Sequence, residues 1–273
     1  MLATLACALP ASATAGPTVV SLTFDDGWGD QATAIPILQA HGMRGTFYIN
    51  SSSVGAGNRL SWAQLEAIDA AGQEIAGHTL DHLDLTTMPE AEARRQVCDD
   101  RANLVARGFV ARSFAYPFGE YNTTVKTIVR DCGYASGRAA FGLRNITAPN
   151  DSRPYAGPIP PPDPYAVLTP CCINSTTTLS ALQNYIIQAE NGGGGWVPFV
   201  LHRICDGCGD TEAPSMSPAT LQAFLDWLQP RAAQGTVVRT VAQVITGDVQ
   251  SPTSSVACGG TACSAGWYGG PVS

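Results

Sequence analysis

Short apolar, β-branched runs alternate with amphipathic stretches from Thr18 to about residue 247. "TVVSLTFDD" reads as a strand, "GDQATAIPILQAHG" as a helix ending at Gly42, and "RGTFYIN" as the next strand. "SWAQLEAIDAAG" predicts a helix with Ser61 as N-cap and Gly72 just past its last turn. "QEIAGHT" is a strand, and "MPEAEARRQVCDDRANLVARG" a long helix started by Pro89 and stopped by Gly108. "ARSFAYPFG", "YASGRAA", a segment near Val167, "WVPFVLHRI" and "TVVRTVAQVI" supply further strands, the last running into a short helical piece. Between them "NTTVKTIVRDCG", "TTTLSALQNYIIQAENGGGG" and "SPATLQAFLDWLQPRAAQG" read as helices, and "RPYAGPIPPPDPYAVL" as a long surface loop. Repeated βα units imply parallel strands covered by helices, in an α/β barrel or a doubly wound sheet. No G-x-G-x-x-G follows the first strand, which counts against a dinucleotide fold.

Composition narrows this picture. In 273 residues, 45% are hydrophobic and 14% charged, enough for one substantial core. The net charge is −7 and no stretch clusters Lys or Arg, so no nucleic-acid partner is expected. No apolar run reaches the length of a membrane span. The opening "MLATLACALPASATAG" offers A-x-A sites ending at Ala13 or Ala15 but has no basic start; residues 1–15 read as a secretory signal with its upstream part missing. Residues 16–247 then form one catalytic domain and 248–273, rich in Ser, Thr and Gly, a tail or linker. Nine cysteines, eight without Cys7, suggest disulfides in a secreted chain. Cys258 with Cys263, and Cys205 with Cys208, could close small loops; Cys98 and Cys132 suit a helix-to-helix bridge; the adjacent Cys171 and Cys172 stay unassigned. A half zinc site is the rival for "CDGC", but no second C-x-x-C completes it. N-x-S/T sequons fall at Asn50, Asn122, Asn145 and Asn174.

Chemistry gathers at predicted strand ends, where parallel α/β folds build their sites. The first strand ends at Asp25 and Asp26, the third at "GHTLDH", the seventh at "VLHR". Three of the four histidines, His78, His82 and His202, therefore share one rim. The i, i+4 spacing of His78 and His82 would put both imidazoles on one side of a helical turn, as a metal requires. His41 precedes Gly42 at a helix C-terminus and reads as structural.

In this order "TFDDGW", "HTLDH", "FAYPFG" and "LH" resemble the motifs of the polysaccharide deacetylases, carbohydrate esterase family 4. The resemblance implies a distorted parallel (β/α) barrel with about seven repeats. It implies a hydrolase that removes N-acetyl groups from a chitin-like or peptidoglycan-like polysaccharide and releases acetate. Asp26, His78 and His82 match the divalent-metal ligands, Asp25 the general base, the Phe118 backbone N–H an oxyanion donor, and His202 the general acid. Zinc suits one carboxylate and two imidazoles, with cobalt or nickel as alternatives. The expected partner is an acetylated polysaccharide, and the expected state a secreted monomer.

Two departures from the family pattern stand out. The arginine that orients the base in many relatives is replaced by Ala115; Arg138 in "SGRAA" is the preferred substitute over Arg112. The acidic, Trp-bearing motif that tunes the acid histidine is not recognisable, leaving Asp206 as a weak candidate. Trp28, Tyr116 and Tyr121 are candidate sugar-stacking residues. An O-acetyl esterase on xylan and a catalytically silent carbohydrate-binding protein are the alternative readings.

Overall fold

The computed structural model describes residues 16–246 apart from 147, 149 and 172. The expected signal segment, the Cys258–Cys263 loop and the tail lie outside the described residues. The strands are β1 (Thr18–Phe24), β2 (Gly45–Ile49), β3 (Glu74–Gly77), β4 (Ser113–Ala115), β5 (Ser136–Gly142), β6 (Val167–Thr169) and β7 (Gly195–Leu201). They are followed by β8 (Arg203–Ile204), β9 (Ser215–Met216) and β10 (Thr236–Val238). The helices are α1 (Ala34–Ala40), α2 (Trp62–Ala70), α3 (Glu90–Ala106), α4 (Thr123–Asp131), α5 (Leu179–Asn191), α6 (Pro218–Leu228) and α7 (Val241–Thr246).

Strands β7-β1-β2-β3-β4-β5-β6 lie side by side and pair in parallel, and β10 adds to the N-terminal half of β1. Among the described residues no ladder joins β6 to β7; an antiparallel bridge from Gly157 to Trp196 stands there. The fold is a distorted (β/α) barrel with seven strands in its ring.

Side-chain alternation sorts the strands into two layers. Val20, Leu22, Phe24, Phe47, Ile49, Phe114 and Phe199 pack outward against the helices. Val19, Tyr48, Ala76, Ala115, Val167 and Trp196 form a second cluster on the inner faces, closed by Val241 of α7. Sharing the inner phase are Ser21, Thr23, Asp25, Glu74, His78, Ser113, Ser136 and Arg138, all buried or nearly so. The barrel interior is thus unusually polar, which is what lets it carry charge to the rim.

Local signals in the sequence act as expected. Ser61 and Gln64 form a reciprocal capping box on α2, and Asn122, Thr178 and Ser217 cap α4, α5 and α6. Disulfides join Cys98 of α3 to Cys132 at the end of α4, and Cys205 to Cys208. Because both sulfurs of "CDGC" are bonded to each other, the half zinc site is excluded. Two elements are shorter than the pattern predicts. The strand through "WVPFVLHRI" stops at Leu201, His202 leaves the sheet, and Arg203–Ile204 pairs with β9 instead. The helix from Ser217 ends at Leu228 and tightens to a 3-10 segment over Gln229–Gln234, where Pro230 lacks the N–H that an α-helix needs.

Candidate active site

Asp25 continues the inward phase of Val19, Ser21 and Thr23 past the end of β1. Its N–H bonds the Leu201 carbonyl of β7 at 2.8 Å, fixing the backbone from the neighbouring strand. From β5, across the lumen, Arg138 Nη2 donates to the Asp25 carboxylate, 2.6 Å from Oδ1. Both residues are buried, Arg138 to 1% exposure. Arg138 Nη1 donates to the Ala139 carbonyl, and the guanidinium lies 4.9 Å from the Tyr48 ring centroid. Arg112, the substitute set aside, is exposed.

Asp26 takes the opposite direction because the backbone turns left-handed there, with φ of 73° at Asp26 and 64° at Gly27. Its Oδ2 accepts the Trp28 indole N–H at 3.0 Å, and its carbonyl accepts Arg59 Nη1 at 2.8 Å. Its buried Oδ1 has no hydrogen-bond partner among the described residues, yet lies 3.4 Å from Nε2 of both His78 and His82.

The two histidines meet on a loop. Residues 78–82 are not helical: Thr79 and His82 have φ of 70° and 56°, and Thr79 Oγ1 accepts the His82 N–H at 3.0 Å. The expected helical turn is therefore corrected. Juxtaposition comes from two left-handed residues, not from the 3.6-residue period. His78 Nδ1 lies 2.7 Å from the Ala115 carbonyl, which can only accept, so Nδ1 carries the proton and Nε2 presents a lone pair. Asn50, whose amide donates to the His78 carbonyl, is buried at 3%. Its sequon is structural, with the amide occupied inside the fold.

Electrostatics follow from this crowding. Burial opposes ionisation of Asp26, but the adjacent imidazoles, His78 foremost, hold its carboxyl well below the usual range. Burial likewise works against protonated His78, and the carboxylates of Asp26 and Asp25 outweigh it, raising that imidazole. His82 is pushed down to about 4 by burial and by His78. One carboxylate oxygen and two imidazole nitrogens thus converge within 4.8 Å of one another. Lone pairs on three such atoms repel unless a cation lies between them, and the orphaned Asp26 Oδ1 fits a divalent metal.

His202, directly after β7, shares this rim. Gln31, fully buried, donates through Nε2 to the carbonyls of both Asp25 (2.6 Å) and His202 (2.8 Å), so one amide couples the two strand ends. His202 Nδ1 is buried without a hydrogen-bond partner among the described residues. Asp206 is exposed and does not bond it, so the proposed tuning acid is not in place. Phe118 sits left-handed (φ 58°) in the turn after β4, 57% exposed, its ring edge-on to His82 at 4.7 Å.

The aromatic candidates are largely corrected. Trp28 is 8% exposed, holds Asp26, and has the Arg59 guanidinium 3.7 Å over its ring. Tyr116 is buried, donates to the Tyr165 carbonyl and stacks on Tyr121 at 5.0 Å. Neither offers a free face to a sugar. Tyr121 is half-buried, with Tyr116 on one side and the Lys126 ammonium 5.9 Å from its centroid. His41 bridges the Ile37 carbonyl and Asp226, joining α1 to α6.

A carboxylate–imidazole cluster suited to a cation thus stands beside an arginine-held acid on the C-terminal rim of a parallel barrel. The sequence model described as polysaccharide deacetylase matches residues 12–137 of the chain. It is 30% identical over 145 residues to the chitooligosaccharide deacetylase of Sinorhizobium fredii, covering 52% of this chain and 65% of that one. It is 27% identical over 120 residues to a chitin deacetylase of Pestalotiopsis sp, covering 43% and 40%. The chain spans about half the length of the curated relatives it matches. In fold it is similar to a family 4 acetyl xylan esterase from Clostridium thermocellum in complex with a cobalt ion. That match has a TM-score of 0.56 and 19% identity, covering 86% of this chain and 95% of that one.

Proposed function

We propose that this chain is a secreted, monomeric, metal-dependent deacetylase that hydrolyses N-acetyl groups on a chitin-like or peptidoglycan-like polysaccharide. The observation that carries the reading is the convergence of Asp26 Oδ1, His78 Nε2 and His82 Nε2 beside a second carboxylate that is kept out of the cluster. These three residues would hold the cation, zinc by the chemistry of the donor set, with cobalt and nickel also admitted. Bound there, it supplies Lewis acidity, polarising the acetyl carbonyl and lowering the pKa of water.

The chain's own residues do the rest. Asp25 removes a proton from the attacking water, and Arg138 holds that carboxylate in place. The Phe118 N–H donates to the oxygen that gains negative charge. His202, protonated, transfers its proton to the leaving nitrogen as the C–N bond breaks. One water is consumed; acetate and a free amine on the glycan are formed. The relatives named above support the substrate class. The disulfides Cys98–Cys132 and Cys205–Cys208 fit an oxidising compartment, and among the described residues no helix is long and apolar enough to cross a membrane.

Acetate release from chitooligosaccharides, peptidoglycan and acetylxylan, with and without a chelator, tests this. Chelator-sensitive release from the acetamido substrates is expected. Release from acetylxylan alone would replace the reading with an O-acetyl esterase; glycan binding without acetate, with metal supplied, would replace it with a silent binding protein.

A further inference from the structure

Helix α3 carries two polar side chains on its buried face, one turn apart: Gln96 and Asp100, both at 0% exposure. An acid and an amide at such positions need full hydrogen bonding to be tolerated. Gln96 finds it largely, and Asp100 in part, in the segment from His78 to His82. Asp100 Oδ2 accepts the His78 N–H at 3.1 Å and the Tyr134 hydroxyl at 3.2 Å, while Oδ1 accepts the Ser51 N–H at 3.0 Å. Gln96 Oε1 accepts the Asp81 N–H at 3.0 Å, its Nε2 donates to Asp81 Oδ2 at 2.7 Å, and its backbone carbonyl accepts the Leu80 N–H at 3.1 Å. Nε2 also reaches Glu92 at 3.2 Å. Cys98, between them in sequence, ties the same helix to α4.

We infer that Gln96 and Asp100 are positioning residues that hold the His78–His82 loop in its cation-binding shape before the cation arrives. The loop contains two left-handed non-glycine residues, Thr79 and His82, a conformation that an unsupported chain abandons. Of its five backbone N–H groups, those of Leu80 and Asp81 are taken by α3, that of His78 is shared between Asp100 and the Ile49 carbonyl of β2 at 3.0 Å, and that of His82 goes to Thr79. With the loop fixed at both ends, binding needs little ordering of the two imidazoles. With it released, that ordering is charged against affinity.

This rests on the metal reading above, and the test separates the two. Zinc titration calorimetry on the chelator-stripped full chain is run for wild type, Asp100→Asn, Gln96→Met and the remote packing variant Leu225→Ala. Thermal unfolding of each stripped protein is followed in parallel. The Asp100→Asn amide nitrogen cannot accept, so at least one donor loses its bond to residue 100; Gln96→Met keeps the volume and deletes both side-chain bonds to Asp81. The expected result is zinc affinity weaker by about 10–100-fold in both α3 variants, the range for outer-shell partners of a metal site. Leu225→Ala should lower the unfolding temperature with unchanged affinity. Wild-type affinity in the α3 variants, or an equal loss in Leu225→Ala, overturns the inference and leaves the metal reading standing. Absence of zinc binding by wild type overturns the metal reading itself. Should Asp100→Asn fail to fold, Gln96→Met decides alone.

Discussion

Two carboxylates are buried inside the same ring of strands, at opposite ends, and they are handled differently. At the C-terminal rim Asp25 faces a full cation, Arg138, across the lumen. At the N-terminal end Glu74 has no cation bonded to it among the described residues; Thr46 and the Ala242 N–H of α7 donate to its Oε2 instead. Burial pushes the Glu74 carboxyl up, those neutral donors countering it only in part. Above, the backbone leaves the strands through left-handed residues and side chains diverge toward solvent; below, α7 and Val241 close the mouth. A charged pair at the open end and neutral bonding at the closed end separate a surface built for chemistry from a plug built for packing.

The sharpest break in that comparison comes from the rim. Asp25→Asn should lower kcat by ~10²–10⁴-fold with zinc still bound, the range for a lost general base, as read by acetate release and metal analysis. Next is the pair itself. Arg138→Ala leaves a buried carboxylate without its partner and should lose about 3–5 kcal/mol in urea unfolding as well as activity. Unchanged stability and turnover would remove Arg138 from both roles. Trp28→Phe keeps an aromatic ring but deletes the donor to Asp26, and should weaken zinc binding by ~10-fold with little loss of stability. The smallest effect lies at the closed end. Glu74 has a folded pKa above its unfolded value, so wild-type stability should fall as pH rises from the unfolded value through the folded one. Glu74→Gln should flatten that slope by less than about 1 kcal/mol, measured by unfolding across the acid range, and leave turnover unaltered.

Much of the rim was legible because parallel βα order alone sends strand ends to one edge. The acid pair and the three histidines needed only that rule. Arg138 was reachable because its alternation points inward on a strand near Asp25. Burial is where local reading failed: Trp28 and Tyr116 look like sugar platforms in sequence, and only the packing of Arg59 and Tyr121 over them shows otherwise. The 78–82 loop was misread because i, i+4 spacing has two conformational solutions, and left-handed residues leave no mark in composition. Asp100 was missed although a signal existed: with Ala93, Val97 and Leu104 it falls on the apolar stripe of α3, where an acid is out of place. Gln31 left none, since its role depends on β1 and β7 being neighbours.

Residue 77 shows how little freedom such an arrangement leaves. A methyl group there would lie 1.9 Å from the Tyr134 hydroxyl oxygen and 2.7 Å from Asp100 Oδ2. A saturation library at this codon, screened for soluble active product, should therefore return glycine. One hydrogen atom in place of a side chain is what allows a helix and a strand to come close enough to share a single carboxylate.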